Sequence, residues 1–249
     1  MIKLKNTEQV SRIRESCRLL ATMFQAIRPL VVEGITTLEL DSWAEDYIRK
    51  AGGIPAFKGY MGFPCTLCIS INEEVIHGIP KDRRIRAGDL VSVDCGIDLK
   101  GYFSDMAITL PIGRVTETEN LLLNSTQTSL DAAVKAIRHG GRVRDVAHAV
   151  SEVIKPHRFG IVHQYCGHGV GFSQHEEPQV PNSPSLGPNP RFVAGMVLAV
   201  EPMINLGKAE VRVLSDDWTV VTVDKKKSAH FEHTVAVWED HTEILTLTD

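Results

Sequence analysis

Apolar residues recur every three or four positions near the start of the chain. Val10, Ile13, Cys17, Leu20, Phe24 and Ile27 fall on one stripe, which predicts an amphipathic helix over residues 7–30. Gly34 closes that segment. Thr36-Thr37-Leu38-Glu39 then reads as a capping box opening a second helix, with Leu40, Trp43, Ala44, Tyr47 and Ile48 on its buried face and Gly52-Gly53 as its stop. Residues 54–64 are rich in Gly, Pro and aromatics and read as loop. Short strands follow over 68–72 and 74–77, and residues 90–110 read as a β-hairpin turning at 98–101. Past 111–114 the order restarts. A long helix is expected over 118–139, ended by Gly140-Gly141. A shorter one is expected over 143–154, with Val146, Ala149, Val150 and Val153 inward. Strands are then expected over 161–164, 196–204, 211–213, 218–223 and 231–238. Residues 179–191, rich in Pro, Asn and Ser, read as an ordered surface loop.

Helix, glycine stop, helix, strands therefore occurs twice, a weak internal duplication with halves of about 1–112 and 113–249. The expected architecture is α/β in the α+β sense: a single domain, 1–249, with its strands in one curved antiparallel sheet and four helices on the outer face. A content of 43% hydrophobic and 23% charged residues over 249 positions allows a substantial core. The net charge of −4 and a pI near 6.2 give no nucleic-acid footprint, and the clusters at 81–86 and 225–227 read as solvated turns. No apolar run is long enough to cross a bilayer, and MIKLKNTEQV lacks the apolar run of a secretion signal, so the expected location is the cytoplasm. Five irregularly spaced cysteines fit reduced thiols, and the lone Cys65-Thr66-Leu67-Cys68 has no second pair to make a zinc knuckle.

The chemistry lies in charges that the apolar pattern does not accommodate. Asp94 and Asp105 sit eleven residues apart inside the hairpin's apolar runs; Glu201 interrupts MVLAVEPMI and Glu232 interrupts AHFEHTVAVW. His168 lies in CGHGVG and His175 opens HEEP. Buried carboxylates without counter-charge repel and desolvate badly, and the strands that carry them hold almost no Lys or Arg. A divalent metal is the economical partner. Four carboxylates and one imidazole make a hard, oxygen-rich donor set unlike a closed structural zinc site. Shared carboxylates suggest two ions roughly 3.5–4 Å apart, as in two-metal hydrolases.

In their order and spacing, VIHGIP, VDCGIDLKGYFSD, CGHGVGFSQHEEPQV, VEPM and FEHTV resemble the methionine aminopeptidases of the pita-bread fold, from the first helix to Val237. The resemblance implies metal ligands Asp94, Asp105, His168, Glu201 and Glu232, with Asp105 and Glu232 shared by both ions. It implies Glu201 as general base, and His77 and His175 as hydrogen-bonding partners of the substrate amide. Phe57, Tyr60, Phe63, Cys68 and Trp218 would form the pocket for methionine, and Asn72 and Ser228 would lie near a monovalent cation. Only 31 positions separate Glu201 from Glu232, which leaves no room for the helical insertion of type II enzymes, so the resemblance is to the bacterial type I. The ions would be Co, Mn, Fe or Zn. The implied substrates are nascent polypeptide N-termini with a small second residue, met by a monomer in transient association with the ribosome. Two departures stand out. Gln174 occupies a place where relatives usually carry an apolar residue, and Asp217 one where they commonly carry Gly. The competing readings are a prolidase or aminopeptidase P, which share fold and ligands but usually carry a further N-terminal domain, and a non-catalytic pita-bread binding protein, which would typically have lost ligands.

Overall fold

The apolar stripes decide where each helix lies. In a computed structural model describing residues 1–248, α1 (Thr7–Ile27) starts at Asn6, which accepts the Gln9 N–H while the Gln9 side chain accepts the Asn6 N–H. All six residues of its predicted stripe are at most 2% exposed. Helix α2 (Thr37–Lys50) opens with the expected Thr36/Glu39 box. Leu40, Ala44 and Ile48 are fully buried, whereas Trp43 and Tyr47 are half-buried at the edge of that face and stack with centroids 5.2 Å apart. Helix α3 (Glu117–Ala136) ends three residues earlier than expected, because Ile137 turns extended. Its carbonyl instead accepts the Thr242 hydroxyl. Helix α4 (Val143–Ile154) has the expected bounds. Its buried residues are Val143, Val146, Ala147, Val150 and Ile154, so the inner face is rotated from the expected one and leaves Ala149 and Val153 half-buried.

The strands in chain order are β1 (Ile54–Pro55), β2 (Cys68–Ile71), β3 (Glu74–Ile76), β4 (Leu90–Leu99), β5 (Tyr102–Pro111), β6 (Gly160–Ile161), β7 (Gly167–Gly169), β8 (Glu176–Val180), β9 (Val197–Val200), β10 (Met203–Asn205), β11 (Val211–Val213), β12 (Val220–Thr222), β13 (Ser228–His230), β14 (His233–Val237) and β15 (Thr242–Ile244). All pairings are antiparallel. The hairpin β4–β5 runs in register from Leu90 opposite Pro111 to Leu99 opposite Tyr102. Its turn residues Lys100 and Gly101 both have positive φ, as a two-residue hairpin turn requires, and Asp98 accepts the Gly101 N–H at 2.7 Å.

The strands do not form one unbroken ladder. Hydrogen bonding divides them into four sheets, the two largest being β1–β4–β2 with β5 on β4, and β15–β14–β9–β7–β8. The physical cause lies at two interruptions. Pro202 has no N–H to give, so the strand expected over 196–204 splits into β9 and β10, which pair with different partners. The strand expected over 231–238 begins only at His233, and Phe231 and Glu232 interrupt the chain between β13 and β14. A bridge between Ala107 and Glu232 then joins the two large sheets. The helices α1 and α2 pack on β2, β4 and β5 through Leu20, Phe24, Leu40, Ile69 and Val93. The helices α3 and α4 pack on β9 and β14 through Leu130, Val146, Leu198 and Val235. Among the described residues no helix is long and apolar enough to cross a membrane, and all five cysteines are free thiols.

Candidate active site

The sheet junction gathers the misplaced acids. Asp94 lies on β4 opposite Ala107 of β5, and Asp105 lies two residues from Ala107 on that strand. The two carboxylates therefore share one face of the hairpin diagonally rather than directly opposite. Glu232 crosses from the other sheet, its N–H donating to the Ala107 carbonyl at 2.9 Å. Thr234 clamps the same seam: its hydroxyl donates to the Asp105 carbonyl at 2.7 Å and accepts the Asp105 N–H at 3.0 Å. His168 on β7 pairs with Ala199 of β9, and Glu201 follows two residues later at the Pro202 break. All five expected ligands thus reach one place. Atoms of Asp105, His168 and Glu232 come within 4.8 Å of one another. The His168 Nε2 stands 3.6 Å from Asp105 and 3.5 Å from Glu201.

Other buried acids of this chain show what a satisfied carboxylate looks like. Asp41 accepts the N–H groups of Thr66 and Leu67, and Glu74 accepts Arg83 and the Ile71 N–H. By contrast Asp94 Oδ1, Asp105 Oδ1 and Glu232 Oε1 are buried with no hydrogen-bond partner. Three orphaned carboxylate oxygens in one cluster are costly without a cation. Burial is the main cause of their raised pKa values: Asp94 is pushed up to about 7 and Glu201 to about 8, and Asp105 and Glu232 are likewise raised well above the usual carboxylate range, with neighbouring carboxylates adding repulsion. His168 is pushed down to about 3 by burial, which keeps it neutral. Its Nδ1 sits 2.9 Å from the Gly169 carbonyl, so that nitrogen carries the hydrogen and Nε2 presents its lone pair to the cluster. Neutral imidazole with four carboxylates fits a hard divalent cation.

These groups floor a cavity of about 240 Å³. Its walls are Phe57, Tyr60, Phe63, Cys68, His77 and Trp218, and His175 stands at the rim. Phe63 meets Trp218 edge-on at 5.1 Å, and His77 lies across Trp218 at 6.2 Å. His175 stacks on Tyr60, with Nδ1 3.1 Å from the phenol oxygen, and its ring lies 4.2 Å from that of His168. The expected metal ligands, the two histidines His77 and His175 and the expected methionine-pocket residues therefore all line one cavity. Asn72 and Ser228 are neighbours as well, the Ser228 N–H donating to the Asn72 carbonyl at 2.8 Å. Asp217 holds φ +63°, a conformation that favours Gly and that Asp tolerates better than most residues.

Two residues escaped the sequence reading. Met61 lines the cavity mouth from a glycine-rich loop, with positive φ and 81% exposure. His230 is buried, its Nε2 unpartnered and 3.5 Å from Glu201. A histidine inside the strand-like run SAHFEH carries the same signal as the acids did.

Fold and site together define a metallopeptidase of the pita-bread class. Metallopeptidase family M24 matches residues 11–239, and the chain belongs to it. Curated relatives include the methionine aminopeptidase of Treponema pallidum, 54% identical over 99% of this chain and 96% of that one. Methionine aminopeptidase 1 of Bacillus subtilis is 43% identical over 99% of each. Among solved structures, methionine aminopeptidase from Thermotoga maritima superposes with a TM-score of 0.96 at 37% identity over the whole of both chains. Prolidase from Pyrococcus furiosus, at 24% identity and a TM-score of 0.82, shares the fold, and this chain covers 66% of it. Within M24 the chain is of the methionine aminopeptidase kind, and membership implies a divalent metal cofactor.

Proposed function

We propose that this chain hydrolyses the bond after the initiator methionine of nascent polypeptides, with a preference for a small second residue. One observation carries the reading: three buried, partnerless carboxylate oxygens lie beside an apolar, sulfur-compatible pocket sized for one side chain. Asp94, Asp105, His168, Glu201 and Glu232 would hold two divalent ions of Co, Mn, Fe or Zn, Asp105 and Glu232 serving both. When bound, the metal supplies Lewis acidity and a water of lowered pKa. Glu201 accepts the proton of the attacking water and returns it to the leaving amine. His77 and His175 hydrogen-bond the scissile amide and the charge that develops on its oxygen. Phe57, Tyr60, Phe63, Cys68 and Trp218 enclose the methionine side chain and exclude water.

The same reading extends to residues 1–249 as one catalytic unit with halves near 1–112 and 113–249, to a monovalent cation by Asn72 and Ser228, and to a cytoplasmic monomer in transient contact with ribosomes. The test is release of methionine from Met-Gly and Met-Ala peptides, with a peptide carrying Pro second alongside, before and after chelation and metal return. Metal-dependent release from the first two supports the assignment. Cleavage before Pro alone, or silence with metal restored, overturns it.

A further inference from the structure

Gln174 is a polar side chain with 1% exposure, set among the residues of the metal cluster. Its Nε2 donates to Asp105 Oδ2 at 2.5 Å, while its Oε1 is buried with no partner. The amide has only one workable orientation. Turned over, its oxygen would face a carboxylate oxygen. The space it fills exists because residue 96, directly opposite Asp105 in the hairpin, is glycine. A Cβ there would lie 2.7 Å from the Gln174 oxygen and 2.9 Å from a Phe57 ring carbon. The loop that carries Gln174 is itself pinned. Glu176 accepts the N–H groups of Phe172 and Ser173 at 2.7 and 3.0 Å, and is held in turn by the buried Lys5 ammonium at 2.6 Å.

The geometry points to Gln174 as a positioning residue for Asp105: by holding Oδ2, the oxygen that lies 3.6 Å from His168 Nε2, it fixes the rotation of the carboxyl group, leaves Oδ1 without a hydrogen-bond partner, and so sets the affinity of the metal centre. Asp105 Oδ1 is one of the three orphaned oxygens, so the carboxyl is divided between one hydrogen-bonded oxygen and one free one. A group of this kind, which orients a ligand without touching the ion, typically changes metal affinity by ~10–100-fold when removed. The inference rests on the metal-centre reading above.

The experiment is calorimetric titration of Mn(II) into metal-free protein, for the parent and for Gln174→Met, which keeps length and volume but cannot donate. Affinity should fall by about tenfold or more, with the circular dichroism and the melting temperature of the metal-free protein little changed. Gln174→Leu, titrated in the same way, carries the test if the Met variant does not fold. Affinities within twofold of the parent overturn the inference, and a lower metal-free melting temperature with unchanged affinity does so too, since it assigns Gln174 to packing. A parent that binds no Mn(II) overturns the metal centre itself, which is a separate failure.

Discussion

Removing the metal should make this protein lose stability as pH rises from 6.5 to 8, and the raised carboxyls set how much. In the metal-free fold Asp94 and Glu201 hold their protons up to about 7 and about 8, whereas in the unfolded chain they release them near 3.8 and 4.5. Between those limits the folded state binds more protons, so stability falls with rising pH, and the loss is complete above the folded pKa. The histidines act in the opposite sense. Burial pushes His168 down to about 3 and His77 and His233 to about 4, so they add stability as pH climbs through 6.5, most of it below that pH and the remainder by about pH 7.5. Buried thiols such as Cys65, pushed up to about 11, join only above pH 8, where unfolded thiols ionise. Between pH 6.5 and 8 the acids work against what remains of the histidine effect, and outweigh it. Over that interval linkage gives on the order of 1 kcal/mol each from Asp94 and Glu201, the residual histidine effect offsets on the order of 1 kcal/mol, and Asp105 and Glu232, also raised, add to the loss. For a chain of this length a net loss of about 2 kcal/mol is ~4–8 °C in melting temperature. Differential scanning calorimetry in chelator should show that fall. With saturating Mn(II) the carboxylates stay ionised and the curve should be nearly flat. A chelated protein whose melting temperature is constant or rises from pH 6.5 to 8 refutes the account of a strained acid cluster.

Four substitutions probe other parts of the argument. Glu201→Gln should cut turnover by ~10²–10⁴ while the fold persists, and near-normal turnover in a peptide assay removes Glu201 as base. Asp105→Ala should bind fewer than two Mn(II) ions per chain by calorimetry; two at parent affinity rule out a shared ligand. Lys5→Met leaves the Glu176 carboxylate buried without its cation, both side chains being 1% exposed. It should cost about 3–5 kcal/mol in urea unfolding, and an unchanged midpoint refutes that. Trp218→Ala opens the wall that Phe63 packs against edge-on, and should raise KM for Met-Ala peptides about tenfold with little change in metal affinity.

The clustered acids were legible because a carboxylate in an apolar run is a local contradiction, visible without any knowledge of pairing. How they meet was not legible, because it depends on where ladders break. Residues 196–204 look like one strand in the sequence, yet the missing N–H of Pro202 divides β9 from β10 and leaves Glu201 at the corner. The interruption around Phe231 does the same for Glu232, whose backbone then bridges to Ala107 between Asp94 and Asp105. The two breaks that spoil a continuous sheet are therefore what turn carboxylates from separate strands onto one point. Gln174 marks the limit in another way. A polar amide next to His175 was visible in the sequence, but its contact with Asp105 appears only with the hairpin register, which places Gly96 opposite Asp105 and opens the gap the amide fills. Met61 had no sequence signal, since its place at the cavity mouth comes from a positive φ in a loop without periodicity. A periodic pattern records which face of an element is buried. A site made at the ends and interruptions of strands is recorded instead in the residues that contradict the pattern, and these four acids, His168 and His230 all do.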